Sequence, residues 1–176
     1  MMDRLPKVIR PLKLAETGAR LQGWLPLSEM SRLAMHLVVS DAHVESHLQF
    51  GVDADHTRFV RGRIKASLPL ICQRCLGQME FPVDIDVSLG IIGAGEEAER
   101  LADIYEPLLL TEETGNLADI VEDELLLVLP IVAMHPQGDC TPGAQDEVIV
   151  QAPQARQPEE TRRPFADLAK LMKSKP

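Results

Sequence analysis

Three stretches of the chain alternate apolar and polar residues with a period of two, and this limits the fold more than any other feature. From 44 to 52 the even positions are Val44, Ser46, Leu48, Phe50 and Val52, and the odd ones are Glu45, His47, Gln49 and Gly51. From 60 to 70 the even positions are Val60, Gly62, Ile64, Ala66, Leu68 and Leu70. From 79 to 89 the odd positions are Met79, Phe81, Val83, Ile85, Val87 and Leu89. Successive side chains of a strand point to opposite faces, so the pattern predicts half-buried antiparallel strands. Placing Ile71 opposite Gln78 across the turn at 72–77 pairs Ile64 with Ile85, Ala66 with Val83, Leu68 with Phe81 and Leu70 with Met79. The same register sets Arg63 against Asp86 and Lys65 against Asp84 on the other face. A slip of one residue would oppose apolar side chains to charges along the whole ladder. A hairpin around 53–57 likewise brings Phe50 to Val60 and Glu45 to Lys65.

The flanks read less sharply. Residues 8–14 and 19–25 fit two short strands around Glu16-Thr17-Gly18. Ser28 suits the N-cap of a helix over 29–38 with Met30, Leu33, Ala34 and Leu37 on one side. Residues 94–104 are acidic and predict a loop or short helix, and 105–110 an edge strand. Asn116 can cap a helix carrying Leu117, Ile120, Val121, Leu125 and Val128 on one face, which Pro130 ends. Asp119, Glu122 and Asp123 suit the positive end of that helix, and Glu122-Asp123-Glu124 is expected on a solvated face. The expected architecture is one α+β domain over 1–135. It holds an antiparallel β-sheet, a meander of three longer strands plus shorter ones, packed with two or three helices. Pro136, Pro142, Pro153 and Pro158 mark 136–161 as a flexible linker. Pro164 then opens a short amphipathic helix within 162–176, whose Phe165, Leu168 and Met172 offer an apolar stripe to a partner or to the chain's own domain.

Composition narrows the function classes. The 176 residues suffice for one domain with a core. No apolar run approaches the roughly 18–20 residues of a membrane span, and residues 1–6 have no signal-peptide character. Three cysteines without a leader point to a reducing compartment. The expectation is therefore a cytoplasmic protein without a membrane partner. The net charge of −9 is unevenly spread. Residues 1–75 carry 11 basic and 7 acidic side chains, 76–151 carry 1 and 17, and 152–176 carry 6 and 3. Such a split suits a chain that meets nucleic acid with one part and basic protein with another, or one whose halves pair in the fold. Aromatics at 3% leave little for a base-stacking platform.

Motifs for catalysis are missing: there is no strand-linked Gly-rich phosphate loop, no GxSxG and no HExxH. No catalytic residue, enzyme activity or small-molecule substrate is expected. Arg61, Arg63 and Lys65 alternate along one strand face and, with Arg74, are candidates for phosphate contact, although Glu45, Asp84 and Asp86 oppose them. Cys72-x-x-Cys75-x-Gly77 sits in a hairpin turn that can aim two thiolates at one ion, with Gly77 supplying unusual backbone angles. His135 and Cys140 are the downstream pair that would complete a zinc set. A redox dithiol and two reduced cysteines shaping a turn are the alternatives.

These motifs, in this order, resemble one family. Ile71-Cys72-Gln73-Arg74-Cys75-Leu76 is followed by Tyr105-Glu106-Pro107, then by Asp119 through Glu122-Asp123-Glu124 to Leu129-Pro130. His135, Cys140 and Arg163-Pro164-Phe165-Ala166-Asp167-Leu168 complete the series. Nearly the whole chain thus resembles the YceD family, the large ribosomal RNA subunit accumulation proteins. The resemblance implies a cytoplasmic, non-catalytic factor in large ribosomal subunit biogenesis. Its implied partners are large-subunit rRNA or its precursor, a basic large-subunit ribosomal protein, or both. Some relatives carry a cysteine-rich tail that looks like a zinc ribbon, of which this chain keeps His135 and Cys140.

Overall fold

The computed structural model describes residues 3–38, 42–93 and 101–140. They belong to a unit spanning Met1–Pro142; the second unit, Gly143–Pro176, lies outside the described residues, and with it the expected C-terminal helix and most of the expected linker.

The elements are β1 (Val8–Ile9), α1 (Pro11–Thr17), β2 (Arg20–Pro26), a 3-10 turn (Leu27–Glu29), α2 (Ser31–Ala34), β3 (His43–Val52), β4 (Arg58–Ile71), β5 (Gln78–Gly93), β6 (Glu106–Leu110), β7 (Gly115–Asn116) and α3 (Leu117–Leu127). Strands β2-β3-β4-β5-β6 form one five-stranded sheet, and β1 pairs with β7. The α+β reading holds. The central register is the one the alternation dictates: Ile71 faces Gln78, Ile64 faces Ile85, Arg63 faces Asp86, Lys65 faces Asp84 and Phe50 faces Val60. The edge strand β6 runs parallel to β5, so the sheet is mixed.

One face of this sheet is the core. Leu48, Phe50, Val60, Ile64, Leu68, Val83 and Val87 join Leu27, Leu33, Leu117, Val121 and Leu125 in a single buried cluster. The helices therefore cover that face, and the face bearing Arg61, Arg63, Lys65, Asp84 and Asp86 is left to solvent. Ser46 shares the inner face, and among the described residues its buried hydroxyl has no hydrogen-bond partner.

Two expectations at the N-terminal side fail. Residues 11–17 are helical, not a strand. Pro11 opens α1 without needing its missing N–H, Pro11 and Ala15 bury one side, and Gly18 at φ 61° closes it by donating to the Leu14 and Ala15 carbonyls. The helix expected over 29–38 shrinks to Ser31–Ala34, and Ser28 caps nothing. Met30 lies outside the helical region at φ −103° and ψ 79°, and the Val38 N–H turns away to the Pro69 carbonyl at 2.9 Å, so β4 captures the chain where the helix would have continued. The helix expected after Asn116 is present as α3, and the Asn116 side chain accepts from the Ala118 N–H at 3.1 Å. Residues 94–100 of the acidic stretch lie outside the described residues.

Candidate metal centre and nucleic-acid face

The turn between β4 and β5 is a tight knuckle. The Leu76 N–H donates to the Cys72 carbonyl at 2.8 Å and the Cys72 N–H to the Gly77 carbonyl at 2.9 Å. Its left-handed residue is Leu76 at φ 58°, not Gly77 as the C-x-x-C-x-G pattern implied. The chain after α3 returns to this knuckle, and the Gln73 N–H donates to the Ala133 carbonyl at 2.8 Å. That bond delivers His135 and Cys140 to Cys72 and Cys75, and the four donor atoms all lie within 4.8 Å of one another. Cys72 Sγ is 3.6 Å from Cys140 Sγ. His135 Nδ1 is 3.4 Å from Cys75 Sγ and 3.7 Å from Cys140 Sγ. His135 Nε2 sits 3.2 Å from the Gln78 carbonyl, which can only accept, so Nε2 carries the proton and Nδ1 presents its lone pair to the sulfurs.

Cys72 and Cys140 are shifted in opposite directions. Burial pushes the Cys72 thiol up, but the backbone N–H groups of Cys75, His135 and Arg74 aimed at its sulfur outweigh burial and bring it to about 5. Cys140 is held above its usual value by burial and by the neighbouring sulfurs, against the opposing pull of Arg74. Arg74 Nε donates to Cys140 Sγ at 2.9 Å. Its Nη2 lies 3.4 Å from the His135 and Pro136 carbonyls.

The basic residues proposed for phosphate do not form one patch. Arg63 grips Asp84 with both arms of its guanidinium, the second bond being 2.8 Å, and Lys65 reaches the same carboxylate at 3.5 Å. The cross-strand register is as expected, yet the Arg63 ion pair is diagonal, to Asp84 and not Asp86. Arg74 belongs to the sulfur cluster. Arg61 differs. Its guanidinium lies over the Phe59 ring at 4.6 Å and the Tyr105 ring at 4.8 Å, and donates to the Tyr105 hydroxyl at 2.6 Å. That hydroxyl donates to Asp53 at 2.9 Å. The stack fits because position 51 is glycine: a Cβ there would lie 2.6 Å from the Phe59 ring. Across the sheet Arg61 faces Gln49, which faces Arg20. With Gln22 and His47 these line a groove of about 390 Å³. Among the described residues neither Arg20 nor Arg61 forms an ion pair with a carboxylate.

Sequence reasoning missed the groove's Arg20, because residue 20 pairs with the meander only through β2. It also misplaced Glu122, which is 2% exposed rather than solvated. Glu122 Oε1 accepts the N–H groups of Arg32 at 2.7 Å and Leu33 at 2.9 Å, and Oε2 meets the Arg32 guanidinium at 2.8 Å. The signal was present: Ala118, Glu122 and Leu125 follow the helical i, i+4, i+7 spacing of a buried stripe. Phe165, Leu168 and Met172 lie outside the described residues. Among the described residues no helix is long and apolar enough to cross a membrane.

Residues 60–172 match the family described as Large ribosomal RNA subunit accumulation protein YceD. The chain is 32% identical over 173 residues to the Haemophilus influenzae protein named Large ribosomal RNA subunit accumulation protein YceD, a match covering 96% of each. No solved structure matches the chain.

Proposed function

The chain belongs to the YceD family, and on that premise we propose that it is a non-catalytic factor in large ribosomal subunit biogenesis, needed for large-subunit rRNA to accumulate and acting by direct contact with that RNA or its precursor. Support for the RNA contact comes from the outer sheet face around Arg61. Its guanidinium is ordered by Phe59 and Tyr105 while keeping its charge clear of a direct carboxylate partner. A pre-ordered guanidinium offers phosphate two parallel donors at little further entropic cost. Arg20, Gln22, His47 and Gln49 beside it supply the second cation and the polar groups of a backbone-tracking groove. Arg63, Lys65 and Arg74 are committed to Asp84 and to the sulfur cluster, so they have a smaller share in this reading.

The same proposal allows a basic large-subunit ribosomal protein at the opposite edge. Burial raises the Glu124 carboxyl, and the charges of Glu106 and Asp123 push it further in the same direction. A cationic side chain placed there would relieve both neighbours.

The experiment is sedimentation of the tagged protein with ribosomal precursors at low and moderate salt, with the bound RNA sequenced. The wild-type protein comigrates with large-subunit precursors in a salt-sensitive way. Arg20→Gln with Arg61→Gln releases it at lower salt and flattens the log–log salt dependence of RNA binding by about 0.7–0.9 for each phosphate no longer neutralised. Recovery of both proteins only in the soluble fractions, with no enriched rRNA, sinks the direct role. Comigration that survives both the double substitution and RNase moves the binding surface to the acidic edge.

A further inference from the structure

We propose that Cys72, Cys75, His135 and Cys140 bind one Zn²⁺ as a closed, structural Cys3His site, with Arg74 balancing its charge. A tetrahedral zinc with bonds of about 2.3 Å to sulfur and about 2.0–2.1 Å to nitrogen sets two sulfurs roughly 3.7 Å apart, and a sulfur and a nitrogen roughly 3.5 Å apart. The separations of 3.6 Å between Cys72 and Cys140, and of 3.4 and 3.7 Å from His135 Nδ1 to Cys75 and Cys140, follow those edges. A disulfide needs about 2.05 Å between sulfurs, so Cys72 and Cys140 are not bonded.

The surroundings are those a zinc site requires. The Gln78 carbonyl fixes the histidine tautomer, and the His135 backbone N–H reaches Cys72 Sγ at 3.4 Å. Three thiolates around a divalent ion leave one negative charge, and the Arg74 guanidinium on Cys140 Sγ cancels it. Thiol protons pass to solvent as the metal–sulfur bonds form, and nothing is oxidised or reduced. All four positions are taken by protein, so the ion has no open site for substrate.

The segment also needs such a clasp. Ile131, Val132 and Met134 are exposed, so little apolar burial holds 131–140 to the domain. What holds it is the bond from Gln73 to Ala133, the reach of Arg74 to the His135 and Pro136 carbonyls, the small cluster of Leu70, Cys72 and Met79, and the four donors themselves. A zinc bond between Cys72 and Cys140 closes a loop of 68 residues, a large restriction on the unfolded chain.

Full-length protein purified under reducing conditions is expected to contain about one zinc per chain by elemental analysis. Cobalt replacement gives a thiolate-to-cobalt charge-transfer band and strong tetrahedral d–d bands. Cys75→Ser and Cys140→Ser lose the metal and melt lower. Should they fail to fold, His135→Cys decides the matter, since a four-sulfur set retains cobalt with red-shifted d–d bands. Arg74→Ala keeps the stoichiometry but weakens zinc binding about 10–100-fold, as loss of an outer partner does. Reduced, folded wild-type protein that takes up neither zinc nor cobalt overturns the proposal, as does unchanged metal content in Cys140→Ser. Unchanged affinity in Arg74→Ala removes the charge-balancing role.

Discussion

Buried in the middle of α3, the Glu122 carboxylate acts as the N-cap of a helix on another part of the chain. It satisfies the N–H groups of Arg32 and Leu33, and Leu33 is fully buried, so no water can replace it there. Glu122→Ala leaves those donors without a partner and is expected to lower unfolding free energy by about 3 kcal/mol in urea titration. Glu122→Gln retains an acceptor oxygen and costs less. Asp123→Ala is the control. Its pair with Arg32 has side chains 55% and 48% exposed, so its loss costs about 0.5 kcal/mol or less. Equal effects of the two alanine variants would show that Glu122 is not the cap. The helical spacing of residue 122 was readable in the sequence. Its partner, some 90 residues earlier, was not, because no local pattern marks a remote N–H group.

Among the elements, the β4–β5 knuckle carries local backbone strain. Leu76 adopts φ 58° and is 55% exposed as a residue, so it gives up backbone comfort and gains little packing. Leu76→Gly removes the Cβ penalty of the left-handed region and is expected to raise stability by about 1 kcal/mol at unchanged metal content. A lower melting temperature would mean that the Leu76 side chain contributes packing. The strands themselves follow from alternation, because a slip would move every apolar side chain of β4 or β5 to the wrong face. The short helices do not follow so simply. In 11–17, Pro11 and Gly18 decided for helix over strand, and in 29–38 the bond from Val38 to Pro69 decided against continuing one.

Across the domain as a unit, one apolar cluster runs from α3 through the sheet, so both sheet edges are expected to unfold together. Trp24, the sole tryptophan, reports β2 at one edge, and Tyr105, the sole tyrosine, precedes β6 at the other. Denaturant curves from Trp24 fluorescence and Tyr105 absorbance should coincide; separate midpoints would show that the parallel edge strand opens alone. The three central strands, their register and faces, the Asn116 cap and the family were all legible in the amino-acid order, because each rests on periodicity or on residues near one another in the chain. Folding in three dimensions was needed to lay β6 parallel and to hold Arg61 on Tyr105 while Asp84 draws Arg63 and Lys65. It was needed too for two cysteines of a hairpin turn to meet a histidine and a cysteine 60 or more residues away. The sequence could name His135 and Cys140 as the downstream pair for Cys72 and Cys75, but their meeting depends on where packing returns the chain, which residue spacing does not fix.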